Sequence, residues 1–123
     1  MSSASRAFNE NKNKLTPFHR YQILFHVHKV APAIAAGNSV VLKPSPQTPM
    51  SAEFLGGIFN NAGLPAGMFN IVQGDSEIGE ALVTDPLVRM VLFTGSVRTG
   101  HLIALKAGMK KSSLELGGKD AQQ

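Results

Sequence analysis

Lys43 is a candidate binding residue, because it ends the β-branched run 39–43 and precedes Pro44. A lysine at the end of a buried strand can donate hydrogen bonds to ribose hydroxyls or to a phosphate. In a purely structural role, its aliphatic stem would cover the strand end while the ammonium stayed in water. The local sequence leaves these two roles equally open.

Glu115 is the carboxylate whose surroundings favour acid–base chemistry. It lies between Leu114 and Leu116, so on a strand its side chain faces away from theirs. If both faces of that strand are covered, partial desolvation raises the pKa of the carboxyl group and suits it to act as a general base near neutral pH. The alternative is a glutamate on an edge strand that faces water.

The segment 95–100 (GSVRTG) follows an apolar run and opens a helical pattern. Free N–H groups and the positive end of the helix dipole favour a phosphate at such a place. However, the segment lacks the Lys and the Ser or Thr that follow the second glycine of a phosphate loop, and it is not the Gly-x-Gly-x-x-Gly dinucleotide fingerprint. An ordinary capped helix start explains it about equally well.

The absence of cysteine and the spacing of the histidines argue against thiol chemistry and metal binding. The 123 residues contain no cysteine, which rules out disulfides, thiolate zinc sites and a cysteine nucleophile within them. His26 and His28 would lie on different faces of a helix, and His19 and His101 are distant in sequence. We therefore predict no metal site.

Composition narrows the range of partners. The formal net charge is +4, but the basic residues are scattered, so a solvated basic tail is favoured over nucleic-acid binding. No apolar run is long enough to span a membrane, and the first residues lack the apolar stretch of a secretory signal. We expect a cytoplasmic protein with neither a membrane nor a nucleic-acid partner.

Helices and strands must alternate to position these residues. Residues 1–16 are rich in Ser, Asn and Lys and are predicted to form a poorly ordered tail. Apolar spacing then predicts a helix over 21–36 and strands at 39–43, 68–72, 88–93 and 113–116. Start and stop signals place the intervening helices from Thr48-Pro49 to Ala62-Gly63, from Asp75 or Ser76 to Asp85-Pro86, and from Ser96 to Gly108.

This order predicts an α/β fold of about four parallel strands with crossover helices. Ligands bind at the carboxyl ends of such strands. Those ends carry Lys43-Pro44-Ser45, Gln73-Gly74, Thr94-Gly95-Ser96 and the segment 115–118. The candidate residues are therefore expected along one edge of the predicted sheet.

Four segments of the sequence also match a known pattern in order and separation. They are 29–49 (KVAPAIAAGNSVVLKPSPQTP), 62–74 (AGLPAGMFNIVQG), 93–96 (FTGS) and 114–119 (LELGGK). Together they resemble the cofactor domain of the NAD(P)-dependent aldehyde dehydrogenase superfamily. The resemblance implies a partial Rossmann-like, dinucleotide-binding domain over 17–123, with NAD or NADP as cofactor.

The resemblance also implies cofactor-binding roles for the matching positions. Lys43 would bind the adenosine ribose, and Ser45 at the same strand end is predicted to contact the cofactor. Gly95 and Ser96 would lie against the pyrophosphate, and Gly74 would line the adenine side.

Two further roles belong to the family reaction, the oxidation of an aldehyde to a carboxylic acid with hydride transfer to NAD(P). The resemblance implies that Glu115 activates the water that hydrolyses a thioester and that Leu116 offers a backbone contact near the nicotinamide. The nucleophilic cysteine of the family lies downstream of LELGG and has no counterpart here. Thiolate attack then has no agent, so we expect a truncated fragment that is inactive by itself.

Two other positions depart from the family pattern. His19 follows Pro17-Phe18 where the family has an asparagine that helps to hold the oxyanion. Pro46 stands where members that prefer NAD often carry a glutamate for the ribose hydroxyls. The choice between NAD and NADP therefore stays open.

Two functions are consistent with these observations. The first is the NAD(P)-binding portion of an aldehyde dehydrogenase, whose small aldehyde substrate would be handled only by the full-length family. The alternative is a non-catalytic nucleotide-binding or interaction module. In either case a sheet that ends after four strands leaves an unpaired edge, so self-association is expected.

Overall fold

The computed structural model of the protein describes residues 27–117, which form two units, 27–73 and 74–117. Each unit contains two parallel strands joined by a helix. The predicted tail at 1–16 and the predicted helical residues 21–26 lie outside the described residues.

The first unit starts with helix α1, described over 27–35, and continues with β1 (Val40–Leu42), α2 (Pro49–Asn61) and β2 (Phe69–Ile71). β1 and β2 pair in parallel, with Val40 opposite Phe69 and Leu42 opposite Ile71. The predicted start of α2 is confirmed, because Thr48 is its N-cap residue and Pro49 its first residue.

The core of this unit lies between its helices and its strands. Val30, Ala52 and Leu55 are at most 3% exposed, and Pro44, two residues after the end of β1, is fully buried. The rings of Phe59 and Phe69 are tilted against each other with centroids 5.0 Å apart, which packs α2 on β2.

The second unit comprises α3 (Ser76–Thr84), β3 (Met90–Gly95), α4 (Val97–Ala107) and β4 (Lys111–Leu116). β3 and β4 pair in parallel from Met90 opposite Lys111 to Gly95 opposite Leu116. α4 packs on both strands and α3 packs on α4, with Val83, Gly100 and Ala107 buried.

The predicted α/β class with parallel strands is confirmed, and the four strands found within residues 27–117 pair two by two. The ends of β3 and β4 differ from the prediction. β3 starts two residues later and includes Thr94 and Gly95, whereas β4 starts two residues earlier, at Lys111. Hydropathy misplaced these ends because the ladder depends on backbone hydrogen bonds, which polar residues such as Lys111 also form.

Candidate functional site

Lys43 and Ser45 follow β1 at its carboxyl end, as predicted. Lys43 is half-buried, and its Nζ donates to the carbonyl of Pro44 over 3.4 Å. Ser45 is exposed, and its Oγ accepts a hydrogen bond from the amide of Gln47 over 3.3 Å. The buried Pro44 anchors this strand end, so the positions of the lysine and the hydroxyl are set by the turn that leads into α2.

Gly74 stands at the start of the second unit, directly before Asp75, the N-cap residue of α3. Its φ of 149° lies in a region that side chains other than glycine's rarely adopt. A Cβ at this position would lie 2.5 Å from Ile78 Cγ1. The backbone at this position therefore carries no side chain, because a residue with a Cβ would be strained in this conformation and would lie too close to Ile78.

Gly95 and Ser96 join the end of β3 to the start of α4. Ser96 is the N-cap residue, and its Oγ accepts a hydrogen bond from the amide of Thr99 over 3.2 Å. The hydroxyls of Ser96 and Thr99 are 2.9 Å apart. A Cβ on Gly95 would lie 2.5 Å from Phe93 Cζ, so any larger residue here would require this ring to shift. The positive end of the α4 dipole thus follows a segment without a bulky side chain.

Glu115 is exposed, so the condition for desolvation, that both faces of the strand are covered, is not met, and the alternative of a glutamate that faces water is the one found. Its side chain faces away from the half-buried Leu114 and Leu116, and that face of β4 is open to solvent. Thr94 Oγ1 donates a hydrogen bond to Glu115 Oε2 over 3.2 Å. The carboxylate is held by a neighbouring strand instead of being enclosed by apolar groups.

Leu116 pairs with Gly95 at the end of the ladder. The next amide, that of Gly117, donates to the Gly95 carbonyl over 3.0 Å and extends the pairing by one residue. The Leu116 side chain lies directly against Gly100 of α4, where a Cβ would overlap it. The structure therefore brings Gly95, Ser96, Glu115 and Leu116 to the same end of the second unit.

Other features of the described residues add no functional group to these strand ends. Among residues 27–117, no cluster of three or more His, Cys, Asp or Glu side chains is placed to hold a metal ion, and no helix there has the length and apolarity to cross a membrane. A groove of about 190 Å³ beside α2 is lined by residues such as Phe59, Leu64 and Phe69, and none of the predicted site residues lines it.

Three contributing residues were not singled out from the sequence: Thr94, Thr99 and Lys110. Thr99 follows Ser96 by three residues, which is the spacing between an N-cap residue and the amide that it binds. The contact between Ser96 and Thr99 could therefore have been predicted from the sequence. Lys110 Nζ donates to the carbonyls of Val83 at 2.6 Å and Asp85 at 2.5 Å. That contact, like the one between Thr94 and Glu115, joins segments more than 20 residues apart and leaves no local signal.

Comparison with known proteins gives a consistent set of similarities. The model of the aldehyde dehydrogenase family matches residues 14–122. A 3-sulfolactaldehyde dehydrogenase from Priestia aryabhattai is 50% identical over 108 residues, which are 87% of this chain and 22% of that protein. The chain spans about a fifth of the length of the curated relatives it matches.

Two solved structures extend the similarity to the fold. A crystal structure of an NAD-dependent aldehyde dehydrogenase from Sinorhizobium meliloti aligns with a TM-score of 0.71 and 45% identity, over 73% of this chain and 18% of that one. A crystal structure of a glyceraldehyde-3-phosphate dehydrogenase from Methanocaldococcus jannaschii complexed with NADP aligns with a TM-score of 0.68 and 40% identity, over 76% and 22%. Because the family model covers most of its residues, the chain belongs to the aldehyde dehydrogenase family.

Proposed function

We propose that this chain binds NAD or NADP as the cofactor portion of an aldehyde dehydrogenase. The residues that would hold the dinucleotide are Lys43, Ser45, Gly74, Gly95, Ser96 and Leu116. The observation that carries the proposal is the start of α4, where Gly95 and the N-cap residue Ser96 precede the positive end of a helix. The bound dinucleotide would supply a hydride acceptor.

Each part of the predicted donor set suits a dinucleotide by its chemistry. Lys43 supplies a cation on a half-buried stem at the end of β1, which suits hydroxyls or a phosphate. Gly74 and Gly95 leave backbone without side chains where α3 and α4 begin. Relatives that are named or titled for NAD and for NADP both align with this chain, so the proposal covers either cofactor.

Glu115 is proposed as the general base of the family reaction, which accepts a proton from the water that hydrolyses the thioester. Its exposure leaves the carboxylate accessible to water, and the hydrogen bond from Thr94 fixes one of its oxygens. The thioester needs a thiol, which these 123 residues do not contain. We therefore propose that the chain by itself does not oxidise aldehydes. The particular aldehyde of a longer protein is left unassigned, and the cytoplasmic location stays a prediction.

Titration calorimetry of the full 123-residue chain with NAD and with NADP tests the proposal. The wild type should show saturable binding, and Lys43→Ala should weaken it about tenfold or more, equivalent to about 1.4 kcal/mol. Lys111→Ala is the matched control, because it removes the same charge from an exposed position at the start of β4. Circular dichroism establishes that each variant is folded.

The opposite result would favour the second candidate. A folded wild-type chain that binds neither dinucleotide, or equal affinity in all three proteins, would contradict the cofactor site. The chain would then be better described as a non-catalytic interaction module. The large apolar side chains exposed on both units support that reading, among them Met50, Leu87, Leu105 and Met109.

The same apolar exposure supports a proposal that the chain associates with itself. Leu105, near the end of α4, is 80% exposed, and Met109, two residues after the end of that helix, is fully exposed. Burying such side chains against a second molecule is favourable by roughly 25 cal/mol for each Å² removed from water.

A further inference from the structure

The function proposed above assigns Thr94 no contact with cofactor or substrate, yet Thr94 stands directly opposite Glu115 in the parallel pair of β3 and β4. Both side chains are exposed on the same face, and the Thr94 hydroxyl donates to Glu115 Oε2 over 3.2 Å. A charged acceptor makes such a hydrogen bond stronger than one between neutral groups.

The backbone on both sides of this pair is held in register. Phe93 pairs with Leu114 before it, and Gly95 pairs with Leu116 after it. The amide of Gly117 then donates to the Gly95 carbonyl over 3.0 Å. The positions from which the Thr94 and Glu115 side chains project are therefore set by the ladder.

The two side chains differ in their freedom. Threonine is branched at Cβ and has a stiff first torsion, so its hydroxyl is placed by the backbone. Glutamate has several rotatable bonds, and fixing such a side chain costs conformational entropy. The Thr94 hydroxyl, which donates to one oxygen of Glu115, favours those Glu115 side-chain conformers that keep this hydrogen bond. A general base needs this selection, because its oxygen must lie within hydrogen-bond reach of the proton it accepts.

We propose that Thr94 is a positioning residue, whose hydroxyl holds the Glu115 carboxylate in one orientation at the carboxyl end of the β3–β4 pair. This inference rests on the proposed role of Glu115 as the general base. A donor to the ionised form also favours that form, so Thr94 helps to keep the base ready to accept a proton.

Nuclear magnetic resonance of the wild-type chain tests the contact without any variant. As Glu115 is titrated, the Thr94 Cβ resonance should move with the same midpoint as the Glu115 carboxyl carbon, because protonation removes the negative charge of the acceptor and weakens the hydrogen bond. Thr84 of the same unit is the reference, because its hydroxyl donates to the carbonyls of Glu80 and Ala81, and its Cβ should not follow this midpoint. A Thr94 resonance that ignores the titration of Glu115 would overturn the proposal.

Three variants then separate a positioning role from a structural one. Thr94→Val removes the donor at nearly constant shape and should raise the pKa of Glu115 by about 0.5. Thr94→Ser restores the hydroxyl and should return the pKa to the wild-type value. Thr84→Val is the control, because its hydroxyl donates to the carbonyls of Glu80 and Ala81 instead. Equal pKa values for Glu115 in the wild type and in a folded Thr94→Val would contradict the inference, and if that variant does not fold, the wild-type titration decides.

These readouts do not depend on dinucleotide binding. Failure of the calorimetric titration with an intact Thr94 response would refute the cofactor site alone. A normal calorimetric titration with no Thr94 response would refute the positioning role alone.

Discussion

Ser96 and Thr48 are the N-cap residues of α4 and α2, but only one of them makes a capping hydrogen bond with its side chain. Ser96 Oγ accepts a hydrogen bond from the amide of Thr99, whereas the Thr48 side chain makes no capping hydrogen bond to α2. An N-cap hydroxyl satisfies one of the amides that a helix leaves without a partner in its first turn. The residue type alone does not reveal which of the two N-cap side chains stabilises its helix.

Ser96→Ala should therefore lower the free energy of unfolding by about 1 kcal/mol. Thr48→Ala should change it by less than about 0.5 kcal/mol. Urea unfolding of the two variants, followed by circular dichroism, compares them directly. Equal losses would show that the Ser96 hydroxyl does not stabilise α4, and Ser96→Asp should retain most of the stability because aspartate also caps.

Gly100 shows why a helix can require glycine for packing. A Cβ at this position of α4 would overlap the Leu116 side chain, whereas a Cβ on Gly57 of α2 would have nothing within 4 Å. Glycine inside a helix otherwise costs about 1 kcal/mol relative to alanine. Its presence at position 100 allows α4 to lie close to β4.

Gly57→Ala should raise the free energy of unfolding by about 0.5–1 kcal/mol. Gly100→Ala should lower it by about 1–2 kcal/mol, because overpacking against Leu116 exceeds the gain in helix propensity. Denaturant unfolding of both variants gives the sign of each change. An increase in stability for Gly100→Ala would show that Leu116 moves aside at little cost.

Lys110 and Lys106 each connect two segments of the second unit, but we expect their contacts to contribute unequally to stability. Lys110 donates to two carbonyls at the end of α3 and ties that helix to the residue before β4. Lys106 forms an ion pair with Glu80 in which the two side chains are 41% and 53% exposed. Water screens the second contact, whereas the first satisfies carbonyls that the helix leaves without a partner.

We expect Lys110→Met to lower the free energy of unfolding by about 1–2 kcal/mol. Glu80→Gln should change it by no more than about 0.5 kcal/mol. Repeating both measurements in high salt should reduce the Glu80 effect and leave most of the Lys110 effect. A loss for Glu80→Gln as large as that for Lys110→Met would contradict this ranking.

For the molecule as a whole, the exposed apolar side chains lead to a prediction about the proposed self-association. Sedimentation equilibrium should show a mean mass that rises with protein concentration, because contact between copies removes these side chains from water. Leu105→Glu should shift the chain towards the monomer. Ala104→Glu adds the same charge at the neighbouring exposed position and should have a smaller effect. A wild-type chain that stays monomeric at all concentrations would refute self-association.

Much of the fold was predictable because the signals are local. Proline after Thr48, glycine after the ends of α2 and α4, and the apolar runs of the strands lie within a few residues of the features they determine. The strand ends that carry Lys43 and Gly95 were located in the same way. The family resemblance, which the comparison with the family model confirms, depends on the same short segments.

The sequence by itself determined the order of helices and strands, the family and the absence of a thiol, since each is a property of neighbouring residues or of composition. Only the tertiary structure decided that Glu115 is exposed and bound by Thr94, and that Lys110 holds the end of α3. These contacts depend on the register between β3 and β4 and on the packing of α3 against α4. The apolar pattern of a strand fixes which face is buried, but a shift of two residues along the partner strand keeps the same face buried, so the pattern alone does not select the register.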